Sequence, residues 1–246
     1  VTSLLDHCVL PDWPAPATVK ALVTTRVGGT STGPYASLNL GTAVGDDPVR
    51  VAENRARLRT LLPDEPRWLR QVHGTRVVAA ESVRAPEEAD AAVTRRPAVV
   101  CVAQMADCLP VLLTSRDGSA VGAAHAGWRG LAAGVVERTV EALGTRPAEL
   151  LAWLGPAIGP DAFEVGDEVR EAFVRHDPGA ARAFVSVRAG KWLADLYALA
   201  RMRLEAAGVG AVHGGGWCTF GDATHFFSHR RDGVTGRMAA LVWREA

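Results

Sequence analysis

Two apolar runs, Leu109 to Thr114 and Ser119 to Ala124, are separated by only Ser115-Arg116-Asp117-Gly118. Asp and Gly are residues that a tight bend uses, so the pair is expected to fold back as antiparallel neighbours. That spacing constrains the rest of the chain. A barrel of repeated strand-helix units or a doubly wound parallel sheet needs a crossover helix after nearly every strand, and four residues cannot supply one. Further short apolar runs lie nearby at Arg76 to Ala80 and Ala98 to Ala103. Helical periodicity is confined to other stretches. The expected class is α+β, with mixed β-sheets and flanking helices, and residues 1–246 are read as a single domain because no long linker or internal repeat interrupts them.

Helices are expected in four places. Asp47 is placed to cap a helix from Pro48, with Val51, Leu58 and Leu61 on its buried stripe. Trp128 to Leu143 carries Leu131, Val135, Val136, Val140 and Leu143 at helical spacing, with Gly144 as its stop. Val165, Val169 and Phe173 suggest a third, and Lys191 to Ala207 a long fourth ended by Gly208. Strands are expected at Ala21 to Val23, Leu151 to Leu154 and Ala183 to Val187, and two further apolar runs, around Phe226 and around Met238 to Trp243, are separated by a turn at Arg231 to Gly233.

The hairpin has a chemical consequence. Cys108 precedes its first arm and His125 follows its second, so antiparallel pairing brings a thiol beside an imidazole. Both are zinc ligands, and a third from His73, which precedes Gly74, would leave one position open, as a catalytic zinc requires. Spacing alone leaves the alternative standing that Cys108 is an inert buried residue and the histidines make ordinary hydrogen bonds. The four cysteines include no CxxC pair, which argues against a zinc finger and against a disulfide framework. With 27 basic and 27 acidic residues the net charge is zero, so no long-range attraction to nucleic acid is expected. No apolar run is long enough to cross a membrane and Val1 to Pro14 lacks a leader pattern, so the expected location is the cytoplasm.

Several motifs together resemble one family. They are Gln71-Val72-His73-Gly74, Ala106-Asp107-Cys108-Leu109-Pro110, Ala124-His125-Ala126-Gly127-Trp128-Arg129-Gly130, Gly155-Pro156-Ala157-Ile158-Gly159-Pro160 and Phe226-Phe227-Ser228-His229-Arg230-Arg231-Asp232-Gly233 through Thr235-Gly236-Arg237. From about residue 20 onward the chain is similar to the YfiH family, historically called polyphenol oxidase or laccase-domain proteins. The resemblance implies a zinc site at His73, Cys108 and His125 and phosphorolysis of adenosine, inosine or guanosine. It also implies adenosine deaminase and methylthioadenosine phosphorylase activities, and a link to peptidoglycan editing. Copper is the less favoured metal, because seven histidines are too few for the centres of a multicopper oxidase. In two places the chain departs from the family pattern: Asp161-Ala162 stands where many relatives have cysteines, and His229 where a tyrosine is common.

Purine nucleosides and phosphate are therefore the expected partners; the sequence does not give the oligomeric state. Arg26, beside the loop Val27-Gly28-Gly29, and Arg129 are the arginines singled out for phosphate, and Asn39 for a polar edge of the ligand. Asp107 is singled out as a proton shuttle or a ligand-orienting group, a role that requires a bend there because neighbours on a strand face opposite ways. Two other functional classes stay open: a cysteine hydrolase or amidase with Cys108 as nucleophile and His125 as base, and a non-catalytic interaction protein.

Overall fold

The computed structural model describes residues 3–245; Val1, Thr2 and Ala246 lie outside the described residues. In chain order the elements are β1 (Val19–Val23), α1 (Pro48–Arg59), β2 (Val77–Ala79), β3 (Ala91–Thr94), β4 (Cys101–Met105), β5 (Leu109–Ser115), β6 (Val121–Ala126), α2 (Trp128–Ala133), α3 (Val135–Ala142), β7 (Leu150–Leu154), β8 (Glu164–Gly166), α4 (Asp167–Val174), β9 (Phe184–Arg188), β10 (Lys191–Ala194), α5 (Leu196–Ala206), β11 (Ala211–Gly214), α6 (His229–Asp232) and β12 (Met238–Arg244).

Six strands form the central sheet in the order β11-β7-β5-β6-β3-β2, parallel at its two edges and antiparallel between. The expected hairpin is its middle, with Pro110 opposite His125 and Thr114 opposite Val121. Because successive side chains alternate across a strand, this hairpin serves two cores. Leu109, Val111, Leu113, Ala124 and Ala126 face one cluster with Leu131, Val136, Leu199 and Leu204 of the helices. Leu112, Val121 and Ala123 face the other, against Met105, Met238 and Val242 of the three-stranded sheet β1-β12-β4. Leu112 is fully buried, so cutting it to alanine would cost roughly 2–5 kcal/mol. A third sheet, β8-β10-β9, lies outside this sandwich.

Three expected elements fold differently. The helix from Trp128 is broken at Gly134, whose φ of 104° is open to glycine and ends α2 before α3 begins. Periodicity runs through the break because both pieces pack on the same core. The long helix expected from Lys191 begins only at Leu196, where Asp195 accepts a hydrogen bond from Ala198 N; Lys191–Ala194 is β10, paired on both sides. Val165 lies in β8, and α4 starts after it. The apolar run around Phe226 is buried and leads into the short α6. The cap at Asp47 forms as expected, its side chain accepting from Val49 N.

Candidate metal centre

His125 shares a face of β6 with Val121 and Ala123, so its ring points toward the side of the sheet covered by β12 and β4. On the neighbouring strand, Ala91 pairs with Ala124, and one step earlier His125 N donates to Asp90 O at 2.7 Å. Asp90 is therefore the cross-strand neighbour of His125. Its Oδ1 lies 2.8 Å from His125 Nδ1, which leaves Nε2 as the free nitrogen of that ring.

The same carboxylate holds His73. It accepts hydrogen bonds from the backbone N–H groups of Val72, His73 and Gly74 at 3.2, 2.9 and 2.7 Å. Three consecutive donors converging on one anion require a sharp local turn, and His73 adopts φ 60° to make it. Burial opposes the ionisation of Asp90, but the bonds from His125, Gly74 and Val72 outweigh it and hold its pKa below the ordinary value.

Cys108 completes the set. Ligand atoms of His73, Cys108 and His125 all lie within 4.8 Å of one another, and among the described residues this is the group of three that could hold a metal ion. Cys108 Sγ is 3.7 Å from His73 Nε2, and the two imidazoles meet edge to face with centroids 4.8 Å apart. Gly127 makes room for them: a Cβ there would stand 2.7 Å from His73 Cδ2 and 3.0 Å from Cys108 Sγ. Burial raises the thiol pKa of Cys108, yet the charge of His125 and hydrogen bonds from both histidines bring it down to about 6. Burial likewise disfavours protonated His125, but the Cys108 thiolate and Asp90 raise it to about 9. Without a metal, the pair is thus poised as thiolate and imidazolium. Two nitrogens and an ionised sulfur are a donor set well matched to zinc.

The other expected site residues are placed as follows. Asp107 has the bend, with φ 93°, but its Oδ1 accepts from Thr219 Oγ1 at 2.6 Å and its Oδ2 from Arg230 N at 2.7 Å. It ties the segment carrying Thr219 and Arg230 to the edge of the centre. Arg26 donates to Ala36 O and Ala223 O and lies over the Phe227 ring, joining loops. Arg129 stacks on its neighbour Trp128 at 4.5 Å. Asn39 is fully buried, and its amide is spent on Gly41 and Asp46 while its carbonyl accepts from Gly41 N and Arg237 N. His229 is exposed at the start of α6. Two residues before the Asp161-Ala162 departure, Gly159 N donates to Cys218 Sγ at 3.3 Å.

Sequence reasoning missed Asp90, a lone carboxylate between Ala89 and Ala91 that only strand register connects to His125. Arg237 stands in the C-terminal motif, where its spacing points to no role. The guanidinium of Arg237 donates from Nη1 to Thr235 O and Gly236 O, and its stem crosses Gly41, where a Cβ would approach Cγ to 2.8 Å. Burial lowers its pKa, while the charges of Cys108 and Asp107 act on it in the opposite direction.

The chain is similar to known proteins along nearly its whole length. Residues 20–245 match the family model described as multi-copper polyphenol oxidoreductase laccase. The chain is 58% identical over 240 residues to a purine nucleoside phosphorylase of Pseudomonas aeruginosa, covering 97% of this chain and 99% of the relative. It is 52% identical to the purine nucleoside phosphorylase YfiH of Escherichia coli, with 97% and 99% covered. The crystal structure of a Neisseria meningitidis protein superposes with a TM-score of 0.94 at 52% identity, over 98% of this chain and 100% of the other. That of YlmD from Geobacillus stearothermophilus gives 0.87 at 36%, over 94% and 93%. Similarity along nearly the whole length, in sequence and in fold, makes the chain a member of the YfiH family of laccase-domain proteins.

Proposed function

We propose that the chain is a zinc-dependent purine nucleoside phosphorylase acting on adenosine, inosine or guanosine, with methylthioadenosine phosphorolysis and adenosine deamination as further activities of the same centre. The observation that carries this reading is one buried carboxylate, Asp90, organising two of three convergent donors. Relatives named purine nucleoside phosphorylases at 58% and 52% identity supply the reaction class.

In phosphorolysis a phosphate oxygen bonds to the ribose C1′ as the bond from C1′ to the purine nitrogen breaks, and the departing base takes up a proton. His73 Nε2, Cys108 Sγ and His125 Nε2 would hold the ion, with Asp90 fixing the tautomer of His125. Bound there, zinc supplies Lewis acidity toward an anionic or carbonyl oxygen. Arg237 attracts the phosphate, since no acid neutralises it in an ion pair among the described residues and its stem is fixed by Gly41. Asp107 positions the Thr219 and Arg230 segment, its two oxygens accepting from Thr219 Oγ1 and Arg230 N. We read the described residues as one domain, since the β5–β6 hairpin contributes to both cores.

The test is a zinc-replete assay of inosine and adenosine with and without phosphate, resolving free base, ribose 1-phosphate and ammonia. Phosphate-dependent release of base is expected, and its loss in Cys108→Ala. A second reading is favoured by the depressed thiol: a cysteine hydrolase with His125 as base. Stoichiometric zinc bound through Cys108 excludes it.

A further inference from the structure

Away from the metal centre, two cavities open on the helical side of the molecule and share His176, Arg203 and Ala206. One, of about 340 Å³, is lined by Gly134, Glu137, Arg138 and Arg203. The other, of about 130 Å³, is an apolar recess between Phe173, Leu199 and Met202. Gly134 closes α2, whose opposite end begins beside Gly127 at the metal centre. Six helical residues put about 9 Å of helix between the two sites.

Arg203 is only 8% exposed. Its Nε pairs with Glu137 Oε1, yet Nη1 is buried without a hydrogen-bond partner, and so is Glu137 Oε2. The two groups meet in front of Gly134, where a Cβ would lie 3.5 Å from Arg203 Nη2 and from Glu137 Oε2. A charged pair left part-satisfied in a protein interior costs stability that a ligand completing both ends would restore. One end calls for an acceptor, the other for a donor. A simple carboxylate would set a second negative charge beside Glu137, and an amine alone would set a second positive charge beside Arg203. A zwitterion answers both. Arg138 at the rim adds a further cation for the carboxylate end, and the recess beside Phe173, Leu199 and Met202 takes an apolar body.

We infer that the cleft formed by Glu137, Arg203 and the apolar recess between Phe173, Leu199 and Met202 is a binding site, separate from the metal centre, for a small α-amino acid with an apolar side chain. The amino acid's carboxylate faces Arg203 and Arg138, its ammonium faces Glu137, and its side chain enters the recess.

The experiment titrates the full chain with L-leucine by calorimetry and follows its melting temperature. Alongside run 4-methylpentanoate, which lacks the ammonium, and 3-methylbutylamine, which lacks the carboxylate. Saturable binding of one leucine and a rise in melting temperature are expected, with each analogue weaker by about tenfold or more. Ala206→Phe, at an exposed position of α5 lining both cavities, should melt where the parent melts without ligand and bind no leucine. Absence of leucine binding, equal binding of either analogue, or unchanged binding in Ala206→Phe overturns the proposal.

Discussion

Asp90 and His125 face each other across adjacent strands, joined twice: backbone N–H to backbone carbonyl at 2.7 Å and imidazole Nδ1 to carboxylate at 2.8 Å. The remaining capacity of that carboxylate is taken by the turn that presents His73. One side chain thus sets the aim of two of the three candidate metal ligands.

Asp90→Asn keeps the shape but replaces an anion accepting four N–H groups with an amide that must turn one donor toward donors. Zinc affinity should fall about 10- to 100-fold, read by competition with a chromophoric chelator. Stability should fall by about 1–3 kcal/mol. Because the folded-state pKa of Asp90 is lowered, its contribution is present above the unfolded carboxylate value and lost as pH falls through the folded one. Urea titrations below about pH 4 should therefore show a shallower acid-induced loss in Asp90→Asn than in the parent.

The metal-free protein should display an unusually reactive thiol. Cys108 titrates near 6, so its alkylation by iodoacetamide should rise through that pH and be almost level by pH 8. Cys101 is fully buried with its thiol pKa pushed up, and stays silent. Zinc should suppress the fast phase. A midpoint near the ordinary thiol value would contradict the thiolate–imidazolium pair.

Zinc binding should release protons in a pattern set by that pair. Near pH 7.5, Cys108 is already ionised while His125, raised to about 9, still carries a proton that the metal must displace. About one proton per zinc is expected from calorimetry in buffers of different ionisation enthalpy.

Gly127→Ala should damage the centre more than the fold. Its Cβ would meet His73 Cδ2 at 2.7 Å and Cys108 Sγ at 3.0 Å, so a ligand must move. Turnover is expected to fall by about 100-fold, the scale of a 1 Å misplacement, with zinc content reduced and the far-ultraviolet dichroism unchanged.

Arg237→Gln should raise the KM for phosphate by about tenfold while zinc content and the KM for inosine hold nearly constant, since a charge-assisted contact to one substrate is lost. Equal effects on both substrates would assign Arg237 to the fold.

Local chemistry in the sequence carried a good part of this molecule. Turn residues between two apolar runs determined the hairpin, Asp47 and Pro48 determined a helix start, and the hairpin brought Cys108 close to His125. His73 entered through family resemblance, because nothing in its spacing ties a loop residue to a strand 52 positions later. What tertiary structure decided was register and spare hydrogen-bonding capacity. Only the pairing of β3 with β6 puts Asp90 against His125, and a one-residue slip would turn it to the other face. Arg26 and Arg237 both give guanidinium hydrogen bonds to loop carbonyls and Arg129 lies over an indole ring, while the charges of Cys108 and Asp107 act on Arg237 from the other end of the chain. Residue type states what a side chain can bind, but the fold decides whether its bonding groups are already spent.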